Sequence, residues 1–314
     1  MCIRDRDRPA AVPAERGRLE GSTIMKGDAM TKLLYLECTS GISGDMCAAA
    51  LLDAGASEEA VRRALESLPV EGFAVEISRV KKSGLDVCDF SVVLDAAHEN
   101  HDHDMAYLHG QGGASEHGHG HDRDHGHARD HDHGHGAPGG HHHRGPAEIA
   151  EIIDGAAMTD GAKAIAHRMF GFVADAEARA HGVPVGEVHF HEVGAVDSIA
   201  DIIAIAVAAD DLAPDGVVVS DLPCGYGTVR CQHGLIPVPA PATAFIAEAA
   251  GLTLSPVDVE GELVTPTGAA AAAALRTESA LPERFSIKAI GMGAGKRAYA
   301  TPGILRAMII EPVE

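Results

Sequence analysis

The chain has 314 residues, a formal net charge of -21, a hydrophobic content of 46% and no tryptophan. This charge disfavours nucleic acid and anionic membrane surfaces as partners, because phosphate binding needs clustered Lys and Arg side chains. No stretch reaches the roughly 18 apolar residues of a membrane span. The six cysteines form no CxxC pair, so they indicate neither a disulfide framework nor a thiolate zinc site and favour a reducing cytoplasm.

Residues 1–30 are charged and lack the apolar segment of a secretory signal. They are predicted to be a disordered tail or a misassigned start, with Met25 and Met30 as alternative initiators. Both methionines lie just before the first predicted strand, KLLYLEC at 32–38.

An N-terminal α/β part is predicted over 31–97. After the first strand, the turn SGISGDM opens a helix, with Ser43 or Asp45 placed to cap it. A second, amphipathic helix is predicted over 57–68. The alternating stretches FAVEISRV and VCDFSVVLDA, separated by KKSG, predict a hairpin.

A histidine-rich linker, 98–145, follows. Between positions 98 and 143 the chain places 15 of its 20 histidines, mostly among Gly and Asp. Such a composition cannot bury a core, so the segment is predicted to be disordered. Neutral imidazoles suit Ni, Cu, Zn and Co, which favours accessory buffering of such a metal over a linker without function. The candidate ligands are His117, His119, His121, His125, His127, His131, His133 and His135.

The main part, 146–314, alternates predicted helices and strands. This order predicts an α/β class with a mixed sheet, flanking helices and the disordered insert as an interruption. The predicted helices are PAEIAEIIDGA, 160–182, 195–212, 241–250 and 266–276, and the predicted strands are EVHF, GVVVS and FSIKAI.

The stretch HFHEVGAVDSIADI holds the densest set of metal-ligand side chains outside the linker. If EVHFH is extended, His189 and His191 point to the same side. Asp197 and Asp201 share one face of an otherwise apolar helix, where two carboxylates repel each other and need a partner. A bound cation would satisfy both, although acidic residues also occur in first turns because of the helix dipole. His189, His191, Asp197 and Asp201, with Asp45 from the first helix start, are therefore candidate metal ligands, and Glu192 is a candidate proton carrier.

Two helix starts and one glycine-rich stretch are candidate cofactor-binding elements. The turn before the first helix contains Gly44, and ELVTPTGAAAAAAL places Thr265 as the cap and Thr267 in the first turn of an Ala-rich helix. GMGAGKR puts Lys296 beside three glycines. Ordinary turns, a well-capped structural helix and a glycine-rich loop are the alternatives. In PCGYGTVRCQHG, the two basic side chains are those of Arg230 and His233, and His233 is a candidate base.

Five of these motifs occur together in one order: LYLECTSGISGDM, the His-rich insert, HFHEVGAVDSIADI, GTVRCQHGLIPVPAPAT and ELVTPTGAA. This set resembles the LarC family of nickel-insertion proteins, from about position 31 to the C-terminus. The resemblance implies a nickel chelatase, or cyclometallase, of the lyase class. Its substrate would be pyridinium-3,5-bisthiocarboxylic acid mononucleotide, loaded with Ni(II) to complete the nickel-pincer cofactor of lactate racemase.

The resemblance also implies CTP as a cofactor with Mn or Mg, a cytoplasmic location and a homo-oligomer. Family members commonly continue into a C-terminal nucleotide-binding domain, which is expected to be absent here or to form a separate subunit. Catalytic roles are expected for His191, Glu192 and His233. Two other functions stay open: a nickel chaperone or storage subunit without catalysis of its own, and a metal-dependent hydrolase.

Overall fold

The chain begins its folded part with a strand that leads straight into a buried helix. In the computed structural model, the described residues are 31–95, 144–188, 190, 196–231 and 234–313. Strand β1 (Leu33–Glu37) is followed by helix α1 (Gly44–Asp53) and helix α2 (Glu58–Glu66). Ser57 caps α2 as predicted, because its hydroxyl accepts a hydrogen bond from the N–H of Ala60 at 3.2 Å.

The predicted hairpin is confirmed. Strands β2 (Phe73–Lys82) and β3 (Leu85–Leu94) pair antiparallel over their whole length. Ser83 and Gly84 both have positive φ at the turn between them, a conformation that hairpin turns require.

The predicted helices of the second half are also present, and their ends agree to within one or two residues. They are α3 (Pro146–Gly155), α4 (Asp160–His181), α5 (Val196–Leu212), α6 (Pro241–Ala250) and α7 (Pro266–Leu275). Helix α4 ends at Gly182 in the left-handed conformation, as its sequence predicts. The strands are β4 (Gly216–Val219), β5 (Leu222–Tyr226), β6 (Thr228–Cys231), β7 (Gly234–Pro237), β8 (Leu254–Glu260), β9 (Phe285–Ala294) and β10 (Ile304–Pro312).

Six of these strands form one mixed sheet in the order β2-β3-β9-β10-β1-β4. The pairs β1–β4 and β3–β9 are parallel and the other neighbours are antiparallel. Strands from before and after the linker therefore share one sheet. The predicted mixed α/β fold is confirmed for the described part of the chain, which contains seven α-helices. Two short ribbons, β5–β8 and β6–β7, lie outside this sheet.

Helix α1 lies against β9 at unusually short range. A Cβ atom at Gly293 would lie 2.0 Å from the carbonyl oxygen of Met46, and one at Gly291 would lie 2.1 Å from that of Ala50. Two of the three glycines of GMGAGKR, Gly291 and Gly293, thus belong to a strand rather than to the predicted loop, and they allow a helix backbone to approach it. On the far side of α1 lies α5, whose apolar side chains are buried as predicted.

The strand predicted at EVHF is wrong for the residues described there. Val185–Glu187 form a short 3-10 turn after Pro184. Val188 and Phe190 are both buried, and the Phe190 ring packs edge-on against Phe170 with centroids 5.1 Å apart. The alternation in this stretch reflects burial against α4, since neither residue pairs with a strand.

Two expectations concern parts of the chain outside the described residues: the N-terminal 1–30 and the His-rich segment from 96 to 143. Among the helices that the structure does describe, none combines the length and apolarity needed to cross a membrane.

Candidate functional site

A cavity of about 810 Å³ opens where three helices begin. Its walls are the N-terminal turns of α1, α5 and α7, the end of β3, the β6–β7 ribbon and the loop after β9. The starts of α1 and α7 are tied together by backbone hydrogen bonds, from Ile42 N–H to Leu263 O at 3.0 Å and from Thr265 N–H to Ile42 O at 3.2 Å. Gly268 keeps this contact close, because its Cβ would lie 2.2 Å from the carbonyl oxygen of Ile42.

The cavity collects every predicted site residue that lies in the described part of the chain. These come from four separate sequence motifs and are Gly44, Asp45, Asp197, Asp201, Thr265, Thr267 and Lys296. The remaining candidates, His189, His191, Glu192, His233 and the linker histidines, lie outside the described residues. The roles assigned to all of them stay predictions.

Asp201 reaches from α5 to the first turn of α1. The backbone N–H of Asp45 donates a hydrogen bond to the Asp201 carboxylate. Gly44 makes room for this contact, since a Cβ there would lie 2.2 Å from Asp201 Oδ2. The positive end of α1 is therefore already occupied by a carboxyl group of the same chain.

Asp45 is held by its own turn. Its carboxylate accepts hydrogen bonds from the Ser43 hydroxyl and from the Met46 N–H, the latter at 2.9 Å. Ser43 occupies the N-cap position of α1 as predicted, but its hydroxyl makes no cap bond to the helix backbone. It orients a carboxylate instead.

The electrostatics of this acidic group favour a proton or a cation. Burial, followed by repulsion from Asp45 and then Asp197, raises the pKa of Asp201 well above its ordinary value, while Lys296 acts in the opposite direction. Burial also raises the pKa of Asp45, opposed by the Ser43 hydroxyl and by Lys296. Both carboxyls keep some surface open to the cavity, so a divalent cation could relieve their repulsion.

The described residues alone do not complete a metal site. Among them, no group of three or more His, Cys, Asp or Glu side chains is arranged to hold a metal ion. Asp45 and Asp201 are two carboxylates without an imidazole within the described ranges. The histidines predicted beside them precede α5 directly in sequence, at 189 and 191.

Two ion pairs line the side of the cavity formed by the loop after β9. Lys296 pairs with Asp89 of β3. Arg297 pairs with Glu262 at 2.8 Å, and Glu262 is only 7% exposed. The Tyr299 hydroxyl donates to the Glu262 carbonyl oxygen at 2.8 Å. Asp89 and Tyr299 were missed from the sequence. Asp89 lies in a hairpin strand far from the candidate motifs, whereas Tyr299, two residues after GMGAGKR, could have been noticed from its position.

Thr265 caps α7 as predicted. Its hydroxyl accepts a hydrogen bond from the Gly268 N–H at 3.1 Å, and Pro266 occupies the first helical position. No acidic side chain lies in the first turn of this helix, unlike that of α1.

Comparison with known proteins shows the family of this chain. A family model described as "Nickel insertion protein" matches residues 34–314. The chain belongs to this nickel insertion protein family. It is 48% identical over 283 residues to the pyridinium-3,5-bisthiocarboxylic acid mononucleotide nickel insertion protein of Alkaliphilus metalliredigens (strain QYMF), covering 90% of this chain and 61% of that one. It is 36% identical to the protein of the same name from Geobacillus kaustophilus (strain HTA426), covering 89% and 60%.

A relative from Staphylococcus epidermidis with the same name is 33% identical over 283 residues, covering 90% of this chain and 60% of the relative. The chain therefore spans about three-fifths of the length of these nickel insertion proteins. No solved structure matches it.

Proposed function

We propose that this chain inserts Ni(II) into pyridinium-3,5-bisthiocarboxylic acid mononucleotide, the compound in the names of its relatives. One observation carries the proposal beyond the family name. Residues from four motifs that are far apart in the sequence line a single cavity. This cavity combines aspartates that repel one another, Asp45, Asp197 and Asp201, with cationic side chains. A site of this kind suits a divalent cation together with an anionic organic substrate.

The acidic group would hold the incoming metal. Asp45, Asp197 and Asp201 would receive Ni(II), and His189 and His191 would deliver it, because imidazole and carboxylate together suit borderline divalent metals. Ni(II) must lose part of its water shell on arrival. Two thiocarboxylate sulfurs of the substrate would then replace that water.

The carbon–nickel bond forms at a ring carbon that carries a hydrogen. The electron pair of the C–H bond becomes the C–Ni bond and the proton leaves to a base, so nickel stays at the same oxidation level. His191, Glu192 and His233 are the proposed bases, each within a stretch that adjoins the cavity walls in sequence.

The histidine-rich segment would act as an accessory. Its many weak sites, tethered to the same chain, would raise the nickel concentration near the cavity. This role needs no fixed geometry, only a connection to the folded part.

The remaining features of the proposal come from the family resemblance. They are a cytoplasmic homo-oligomer, CTP with Mn or Mg, maturation of lactate racemase, and a C-terminal domain or subunit that supplies the nucleotide site. Lys296 and Arg297 are already engaged with Asp89 and Glu262, which fits poorly with a triphosphate in this cavity. None of the roles above depends on CTP.

The test is direct insertion by the full chain. It is incubated with nickel and the bisthiocarboxylate, with and without CTP, and the nickel-bound product is followed by mass spectrometry. Product from the chain supports a chelatase, and nickel binding without product supports the chaperone alternative. Asp201→Asn should lower the insertion rate, whereas Asp258→Asn, on the exposed side of β8, is the matched control. Equal rates for both variants would remove Asp201 from the proposed site.

A further inference from the structure

Thr267 is a buried threonine whose hydroxyl has no hydrogen-bond partner in the described part of the chain. The residue is 8% exposed and lines the cavity in the first turn of α7. The hydroxyl oxygen is not among the fully buried polar atoms that lack a partner, so it keeps contact with the cavity space, and the fold places here a polar group that no described residue uses.

The backbone around Thr267 offers a second donor. Thr265 caps the Gly268 N–H, and Pro266 has no N–H. Among the described residues, the N–H of Thr267 donates to no backbone carbonyl; Leu263 O, four residues earlier, accepts from Ile42. Hydroxyl and amide of one residue thus present two donors at a helix N-terminus, where the dipole favours a negative group.

The two adjoining helix starts differ in what they hold. At α1 the carboxylates of Asp201 and Asp45 accept the first-turn donors. At α7 no acidic residue occupies the first turn. An anion that enters the cavity would meet repulsion at α1 and open donors at α7.

A cationic side chain completes the surroundings. Arg230 of β6 lines the same cavity. Its backbone lies opposite Leu235 in the β6–β7 ribbon, while its side chain forms no hydrogen bond or ion pair with a described residue. The neighbouring cations, Lys296 and Arg297, are each engaged with a carboxylate. In a chain of net charge -21, an arginine side chain that no described residue engages, in the same cavity as open donors, is suited to a phosphate.

We propose that the first turn of α7, through the hydroxyl and N–H of Thr267 and with Arg230 as counter-charge, binds the phosphate of a pyridinium mononucleotide. This inference rests on the proposed function and assigns the substrate's phosphate to one place. The pyridinium ring would then extend toward the neighbouring start of α1 and its acidic group. Phosphate and metal occupy different helix starts, which keeps the phosphate from competing for nickel.

Binding without nickel tests this assignment apart from the insertion reaction. The probes are nicotinic acid mononucleotide and nicotinic acid riboside, which differ only by the phosphate and carry no thiocarboxylate. Calorimetry on the full chain should show the mononucleotide binding at least about tenfold more tightly than the riboside, the size expected for charge-assisted hydrogen bonds. Equal affinities, or no mononucleotide binding at millimolar concentration, would refute the phosphate site.

Three variants locate the effect. Thr267→Val should weaken mononucleotide binding about tenfold and leave riboside binding unchanged, whereas Thr267→Ser should retain wild-type affinity. Thr243→Val is the matched control, since Thr243 lies in the first turn of another proline-started helix, but its hydroxyl bonds to Val264 O at 3.4 Å and it does not line the cavity. It should leave both affinities unchanged.

Wild-type mononucleotide affinity in a folded Thr267→Val protein would overturn the inference. A melting curve like that of the wild type shows that this variant is folded. If the mononucleotide binds as expected but nickel is never inserted, the proposed function fails and the phosphate site stands. If insertion occurs and its KM is unaffected by Thr267→Val, the phosphate site fails alone.

Discussion

Replacing Gly44 by alanine tests the contact on which the acidic group depends. The new Cβ would lie 2.2 Å from Asp201 Oδ2 and 2.8 Å from the Cβ and Cγ of Asp201. The carboxylate must move by about 1 Å to restore a normal separation, and it then loses the hydrogen bond from the Asp45 N–H. Rotation of the Asp201 side chain alone cannot relieve the contact with its Cβ, so the start of α1 or of α5 must also shift.

The expected cost follows from these two effects. Overpacking of this kind destabilises by about 1–3 kcal/mol. The lost hydrogen bond adds little, because moving the carboxylate toward solvent also relieves its burial and its repulsion from Asp45. For a folded part of this size, about 1–3 kcal/mol corresponds to a melting temperature lower by about 2–10 °C. The insertion rate should fall at least about tenfold, since a displacement of about 1 Å in a catalytic group has effects of this order or larger.

The chain offers a matched control for Gly44→Ala. Gly161 lies in the first turn of α4, and a Cβ there would meet Asp210 Oδ1 at 2.1 Å, away from the cavity. Gly161→Ala should lower the melting temperature by a similar or smaller amount and leave insertion unchanged. Gly171→Ala, in the middle of α4 with open space around it, should stabilise by about 0.5–1 kcal/mol. If Gly44→Ala melts and inserts nickel like the wild type, the close approach of Asp201 to α1 is not part of the site.

Four further perturbations follow from the sequence and the site. Deletion of 98–143 should leave the melting temperature unchanged and lower bound nickel by several ions in equilibrium dialysis; an unfolded product would contradict the linker assignment. His191→Ala should abolish insertion, measured by mass spectrometry, with the free energy of unfolding within about 1–2 kcal/mol of wild type. The pKa of Asp201 is raised above its ordinary value of 3.8, so the protonated carboxyl stabilises the fold below that pH, and this contribution is lost as the pH rises through the folded-state pKa. Asp201→Asn should therefore be more stable than wild type at neutral pH. In denaturant titrations, the difference in free energy of unfolding should shrink toward about pH 4. Glu262→Gln leaves Arg297 without its charged partner and should lower stability by about 1–3 kcal/mol, because that guanidinium is partly solvated; an unchanged melting temperature would show that water replaces the pair.

Local structure was largely predictable from the sequence, because caps, turns and periodicity are written in neighbouring residues. The threonine at 265 and the proline after it determine where α7 begins, and Gly182 determines where α4 ends. The hairpin of β2 and β3 follows from alternation and a short turn. The prediction of a strand at EVHF was wrong because alternation of apolar and polar residues indicates only that every second residue is buried. A strand produces this pattern, and so does a buried irregular segment.

Identifying the candidate site required both the sequence and the tertiary structure. The sequence indicated which side chains bear chemistry, since Asp197 and Asp201 stand out in the apolar stretch 195–209 and Thr265 before Pro266 marks a helix start. Only the tertiary structure decided that Gly44, Asp201, Thr267 and Lys296 line one cavity, because their closeness comes from helix starts brought together by contacts between Ile42 and residues 263–265. The sequence also could not show that Gly291 and Gly293 of GMGAGKR belong to a strand. A glycine's role there is set by the helix packed against it, a contact between residues more than 240 positions apart.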